Sequence, residues 1–206
     1  MAADTIVLAT RSADKLREIR QILAPVFHGN ILTLDETGIQ PSPAEDGIEC
    51  FDSFVANARA KAAWFLRATR LPTLADDSGI CVDALGGNPG VRSRRYAEAG
   101  CEGAAQDLAN NQRLLHELRD VPRDARTAHY TCAAVLLLPD GRCVSSLGTC
   151  SGFILESPRG DGGFGYDPLF LDAELNASFA ELPPAVKNRR SHRARAFRAL
   201  AANLPR

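Results

Sequence analysis

No two of the six cysteines, Cys50, Cys81, Cys101, Cys132, Cys143 and Cys150, stand at a C-x-x-C spacing. That argues against a structural zinc site, and in the absence of a secretory leader the thiols read as reduced and the protein as cytoplasmic. Long apolar runs are missing too. The longest clear one covers residues 133–138, far short of a bilayer span, so no membrane partner is expected. The acidic start Met1-Ala2-Ala3-Asp4 leads directly into a strand and carries no signal-peptide pattern. Charge of one sign is also lacking. Lys and Arg number 24 against 25 Asp and Glu, a net charge of −1, which gives no field that would attract nucleic acid. There is no internal repeat and no low-complexity linker. With 45% hydrophobic and 24% charged residues the composition is that of a soluble globular protein, and 206 residues suffice for one domain, large enough to form two lobes.

What is present is concentrated in a few stretches. Ala75-Asp76-Asp77-Ser78-Gly79 follows an apolar run over 71–75 and precedes another over 80–82. This reads as a strand, 73–76, ending in a Ser-Gly bend with two carboxylates at its tip. Alternation sends Asp76 and Asp77 to opposite faces if both remain extended. Such carboxylates suit Mg²⁺ or a base that takes a proton from water, and equally a capped turn.

Residues 5–10 read as a buried strand, and Leu16, Ile19, Ile22 and Leu23 recur at helical spacing up to Pro25. The junction exposes helix N-terminal N–H groups that attract anions, which makes Thr10, Ser12 and Lys15 phosphate-binding candidates. Ser12 is also a good helix cap, and the glycines of a Walker A loop are missing. A second strand is expected at 30–34, a loop at 35–47 carrying Glu45 and Asp46, and a helix from Phe51 to about Thr69 with its apolar stripe at Phe54, Val55, Ala58, Ala62 and Phe65. Asn57 and Lys61 share one face of that helix, where such pairs are usually surface decoration.

A glycine-rich loop follows at 85–91, then Arg92, Arg94, Arg95 and Tyr96, and a helix at about 104–119. Strands at 127–138 and 142–149 flank a Pro-Asp-Gly turn, and a separate short strand is expected at 152–155. In the segment 159–168, four glycines within six residues are interleaved with Phe164 and Tyr166. That pattern suits a planar heterocycle on an aromatic face, or a glycine-rich turn over core aromatics. Ala194, Phe197, Leu200, Ala201 and Leu204 mark a last amphipathic helix capped by Ser191. His192 and Arg193 fall in its first turn, where cations oppose the helix dipole unless an acceptor-rich group sits there.

These blocks, in this order along nearly the whole chain, resemble the inosine/xanthosine triphosphate pyrophosphatases, the Ham1-like family. They are Thr10 through Lys15 with Glu18, Glu45-x-Gly47, Asn57-Ala58 with Lys61-Ala62, and Asp76-Asp77-Ser78-Gly79. Then come Leu85-Gly86-Gly87-x-Pro89-Gly90, Arg95-Tyr96, Phe164-Gly165-Tyr166-Asp167-Pro168, and Lys187-Asn188 with Ser191-His192-Arg193. The resemblance implies an α/β protein with an elongated mixed β-sheet flanked by helices, in two lobes with a central nucleotide cleft, usually a homodimer. It implies hydrolysis of ITP, dITP and XTP to monophosphate and pyrophosphate with Mg²⁺.

Carried over position by position, Asp77 is the general base and Glu45, Asp77 and Asp76 hold the metal. Thr10, Arg11, Ser12, Ala13, Asp14, Lys15 and Ser78 line the phosphates. Phe164, Gly165, Tyr166, Asp167, Lys187, His192 and Arg193 surround the base. Lysine, histidine and arginine donors facing the 6-keto oxygen would reject adenine, whose 6-amino group is itself a donor. The chain departs from the family at Ser12, where Asn is usual, and at Ala56, where Glu is common; Glu45, Glu49 or Asp52 must then compensate. A Maf-like pyrophosphatase with another base preference is the alternative. An RNA-binding protein using the basic stretch 187–198 is a rival from another class.

Overall fold

The computed structural model describes residues 5–203, so Met1 to Asp4 and Leu204, the last residue of the expected helical stripe, lie outside the described residues. Among the described residues are seven strands, ordered β2-β1-β3-β4-β5-β6-β7 in one mixed sheet. The chain divides into two compact units, and β3, β4 and β5 each continue from one into the other.

The first unit comprises the residues up to Asp77, Cys132–Gly148, and those from Ser191 on. Its strands β1 (Thr5–Leu8) and β2 (Asn30–Thr33) are parallel, and β1 is also parallel to the start of β3 (Thr73–Val82). Parallel strands need crossovers, supplied here by α1 (Ala13–Leu23) and α2 (Phe54–Thr69). One face of the sheet packs Ile6, Leu8 and Leu74 against Ile19 and Ile22 of α1 and Phe197 and Leu200 of α5 (His192–Ala202). The opposite face packs Val7, Ala9 and Ala75 against Ala58, Ala62 and Phe65 of α2. Strands covered on both faces read as continuous apolar runs, and Val7 and Leu8 are 0% exposed.

The second unit contains α3 (Gly103–Glu117), the first part of β4 (Thr127–Leu137), the last part of β5 (Cys143–Ile154), β6 (Phe170–Asp172), β7 (Ala177–Ser178) and α4 (Pro184–Arg190). Its core centres on Tyr130, Phe170 and Phe179, with the Tyr130 and Phe170 ring centroids 4.7 Å apart. Strands β5, β6 and β7 are antiparallel in sequence. The hairpin β4–β5 is tied at its turn by the Leu138 N–H to the Arg142 carbonyl, and at its far end by the Ile154 N–H to the Arg126 carbonyl.

Two expected strand boundaries change. Strand β3 does not stop in a bend at Ser78-Gly79 but runs extended to Val82. Gly79 is there because another segment comes close, not because the chain turns: a β-carbon would overlap the Gly90 carbonyl and Ser93 Oγ. The strands expected at 142–149 and 152–155 are one, β5, through Gly148 and Gly152. The loop at 35–47 ends in a 3₁₀ turn over Pro43–Gly47, with Ser42 as its cap.

Candidate active site

The face each carboxylate takes on β3 follows from its neighbours. Leu74 packs toward α1 and α5, Ala75 toward α2, and Asp76 and Asp77 continue the alternation. Asp76 is 0% exposed. Lys15 Nζ lies 3.1 Å and Arg193 Nε 3.5 Å from its Oδ2. Burial opposes its ionisation, but Lys15, Arg193 and Lys61 outweigh that and hold its carboxyl well below the usual carboxylate range. Arg193 NH1 also donates to Glu18 Oε2 at 2.6 Å, so the first turn of α5 carries a buried cation because two carboxylates face it.

Asp77 is the opposite case. It accepts a hydrogen bond from Asn57 Nδ2 at 3.0 Å. Burial, helped by the charge of Glu49, pushes its carboxyl up to about 6, against the pull of Lys15 and Lys61. Glu49 pairs with Lys61, one turn along α2 from Asn57. Burial disfavours the charged form of both partners, yet their attraction wins: Glu49 is lowered and Lys61 raised. Asn57 and Lys61, which read as surface decoration from the sequence, are therefore the α2 side of this group; Asn57 is 1% exposed.

Glu45 stands elsewhere. Its two oxygens accept from Arg11 Nε and NH2 at 3.1 and 2.9 Å, and the same guanidinium reaches Asp35 Oδ1 and the Ile39 carbonyl. The charge of Glu49 bears on Asp77, whereas Glu45, expected as a metal ligand, pairs with Arg11. Position 49 was one of three possible compensators for the Ala56 departure, and only a contact across α2 distinguishes it. At the start of α1, Ser12 caps the helix by accepting from the Lys15 N–H at 3.3 Å, and Thr10 Oγ1 accepts from the Ser12 N–H. Ala13 and Asp14 open the helix, and Asp14 pairs with Arg17. The Lys15 ammonium is turned to Asp76.

Among the described residues no group of three or more His, Cys, Asp or Glu side chains could hold a metal ion alone. Mg²⁺ seldom asks for that; it keeps waters and takes one or two carboxylates plus substrate phosphates. Asp77 and Glu49 fit this role as carboxylate oxygen donors, Asp77 with its carboxyl raised chiefly by burial and Glu49 close enough for its charge to bear on it.

The second unit holds the aromatic group. Lys187 and Asp167, 4% and 3% exposed, form an ion pair, and the Lys187 ammonium lies 4.7 Å from the centroid of the Phe164 ring. Asp167 also accepts from the Phe164 N–H at 2.9 Å. The Gly165 peptide is held on both sides by α3, its N–H by Asp107 and its carbonyl by Asn111. Phe164 is half-buried, whereas Tyr166 belongs to the core and its hydroxyl donates to the Ser93 carbonyl at 2.8 Å. Ser78, on β3 just after Asp77, is half-buried, and His192 is buried beside Arg193.

The chain was compared with known proteins. The Ham1 family matches residues 6–203. A dITP/XTP pyrophosphatase of Geobacter sulfurreducens is 46% identical over 199 residues, 97% of this chain and 96% of that protein. One from Thermus thermophilus is 45% identical over 195 residues, 95% of this chain and 89% of its own length. Among solved structures, a HAM1 protein from Coxiella burnetii superimposes with a TM-score of 0.82 at 33% identity, covering 96% of each chain. A nucleoside-triphosphatase / dITP/XTP pyrophosphatase from Mycobacterium abscessus gives 0.72 at 37% identity, covering 98% of each. With a match that spans almost every residue, the chain belongs to the Ham1 family.

Proposed function

We propose that this protein is a pyrophosphatase that hydrolyses non-standard purine nucleoside triphosphates, ITP, dITP and XTP, to the monophosphate and pyrophosphate, and so clears them from the nucleotide pool. The observation that carries the reading is the neighbouring pair Asp76 and Asp77 on β3: Asp76 faces Lys15 at 3.1 Å and Arg193 at 3.5 Å, Asp77 faces Asn57 at 3.0 Å, and these surroundings push their ionisation in opposite directions. Carboxylates separated in this way are suited to different tasks. Asp76 stays ionised and keeps Lys15 and Arg193 in place. Asp77, raised toward neutrality, is the base for an attacking water. The names of the relatives supply the reaction class.

Mg²⁺ is the proposed metal, held by Asp77 and Glu49; when bound it neutralises triphosphate charge and orients a water. The chain's own residues do the rest. Lys15 and the N-terminus of α1 offer a cation and a dipole to the phosphates, and Lys61 adds a second cation. In the second unit, the Phe164 ring offers a stacking face and the Lys187 ammonium above it a donor to a 6-keto oxygen. The six free cysteines agree with a reducing cytoplasm, and no helix among the described residues is long and apolar enough to cross a membrane. A second copy of the chain is the proposed partner, to be checked by light scattering after size exclusion.

The test is pyrophosphate release from a triphosphate panel with Mg²⁺ and with EDTA. Release from dITP, ITP and XTP, little from ATP, and loss in EDTA are expected. Orthophosphate as product, or equal rates on all bases, overturns the reading; a pyrimidine preference would favour a Maf-like activity. Glu49→Gln is expected to raise the Mg²⁺ concentration for half-maximal rate roughly tenfold or more, with Glu45→Gln changing it much less.

A further inference from the structure

The segment that carries Glu49 is tied to α2 by two side chains, Lys61 at Glu49 and Asn57 at Phe51. Residues 49–53 are irregular, Cys50 and Asp52 are exposed, and the Phe51 side chain is 47% exposed, so burial of this aromatic ring does not anchor the chain there. What holds Phe51 is a single side chain. Asn57 Oδ1 accepts from the Phe51 N–H at 2.9 Å, and Asn57 Nδ2 donates to the Phe51 carbonyl at 3.0 Å. The same Nδ2 group donates to Asp77 Oδ2, also at 3.0 Å. One amide, 1% exposed, thus uses its acceptor and both its donor hydrogens to join two segments, β3 and the stretch two residues after Glu49.

Only an asparagine can do this from its place near the start of α2. The pairing with Phe51 copies the two-way bond of a strand pair and needs both a donor and an acceptor on the same planar group, and the bond to Asp77 needs a second N–H. Aspartate lacks both donors, serine offers one, and glutamine is longer by one carbon. Ser53 caps α2 by accepting from the Ala56 N–H, so Asn57 is not needed as a cap.

We propose that Asn57 is a positioning residue for the reaction: it locks the Glu49-bearing segment to Asp77, so that the two carboxylates are presented together and Asp77 is fixed in its plane. The inference rests on the reading of Asp77 and Glu49 given above. It predicts a loss in rate more than in substrate binding, because the Asn57 side chain bonds Asp77 and the Phe51 backbone of the Glu49 segment, while the lysines and the α1 N-terminus remain in place.

The experiment compares wild type, Asn57→Ala, Asn57→Asp, Asp77→Asn and the Asn57→Ala/Asp77→Asn double variant. With dITP and Mg²⁺, kcat is expected to fall roughly 10- to 100-fold in both Asn57 variants, with KM within about threefold. In the Asp77→Asn background, Asn57→Ala is expected to change the residual kcat less than about threefold, since it acts through the group already removed. In the metal-free protein, hydrogen exchange at the Phe51 amide is expected to accelerate in Asn57→Ala. A kcat within about threefold of wild type in both single variants, a KM rise that accounts for the loss, a fully multiplicative double variant, or an unchanged Phe51 amide overturns the inference. If Asn57→Ala does not fold, Asn57→Asp, which keeps the side-chain volume, carries the same kcat and KM test. If wild type itself releases no pyrophosphate, the underlying reading fails instead, and the exchange result still reports on the lock.

Discussion

Asp76 and Asp77 are one peptide bond apart and respond to pH in opposite senses. Asp76 is depressed in the folded protein by Lys15 and Arg193, so its charge contributes stability above the unfolded value of about 4, and that contribution is lost as the pH falls below it. Asp77 is raised to about 6, so the unfolded chain ionises first as the pH rises from about 4 to 6, and the folded state carries a penalty above that range. Two adjacent substitutions should therefore diverge at pH 8. Asp76→Asn leaves Lys15 and Arg193 against a neutral amide and is expected to cost about 3–5 kcal/mol, read as a lower urea midpoint. Asp77→Asn keeps an oxygen for Asn57 and removes the penalty. It should hold or raise stability, by up to about 3 kcal/mol and read as an equal or higher urea midpoint, while pyrophosphate release falls roughly 100-fold or more. A destabilised Asp77→Asn would mean that the charged form is better compensated than its surroundings suggest. That two adjacent acids close an apolar stretch and that alternation sends them to opposite faces was legible in the residues themselves. Which cations face Asp76 was not: Lys15 and Arg193 lie far from it in sequence.

Among the secondary-structure elements, β3 shows where local signals mislead. Ser-Gly after two aspartates reads as a turn, since each residue favours one. The structure extends the strand through them because Gly79 admits a close neighbour and Ile80 and Val82, both 0% exposed, continue the buried run. Strand β5 repeats the lesson at Gly148. A β-carbon there would overlap the His192 carbonyl and the Ala196 backbone, so the glycine sets how closely β5 lies against α5. Gly148→Ala is expected to destabilise the protein by about 1–3 kcal/mol and, by displacing the first turn of α5 with Arg193, to weaken the hold on Asp76. Its check is a denaturant titration beside the same assay at pH 8. Loss of stability should be smaller in an Asp76→Asn background, where that hold is already gone. The starts of α1 and α5 were readable because Ser12 and Ser191 cap them, whereas α2 begins at Phe54 behind its cap Ser53, later than the Phe51 expected.

For the whole molecule, a net charge of −1 conceals a strongly ordered interior. Lys15 pairs with Asp76, Lys61 with Glu49, and Arg193 with both Glu18 and Asp76, while burial holds the Asp77 carboxyl raised. In the basic stretch 187–198, which could have been an RNA-binding face, Lys187 and Arg193 are buried and pair with Asp167 and with Glu18 and Asp76, and half-buried Arg190 pairs with Asp172 and Glu174, while Arg189, Arg195 and Arg198 are exposed. Affinity for RNA at physiological salt should accordingly be weak and independent of Mg²⁺, a point that a filter-binding titration checks.

The sequence by itself did not determine β6, β7 or α4, but it did determine the longer helices and strands, the caps Ser12 and Ser191 and the blocks that carry the family likeness. These depend on periodicity and on residues a few positions apart, which chain connectivity keeps together. Tertiary structure alone decided that Glu49 and not Glu45 stands with Asp77, that Arg11 is occupied by Glu45, that Tyr166 is core while Phe164 stays half-open, and that Asn57 joins β3 to the Glu49 segment. A carboxylate's partner depends on which side chains the packing of distant helices brings within a few ångströms and on how much water it removes, and neither is written in local spacing.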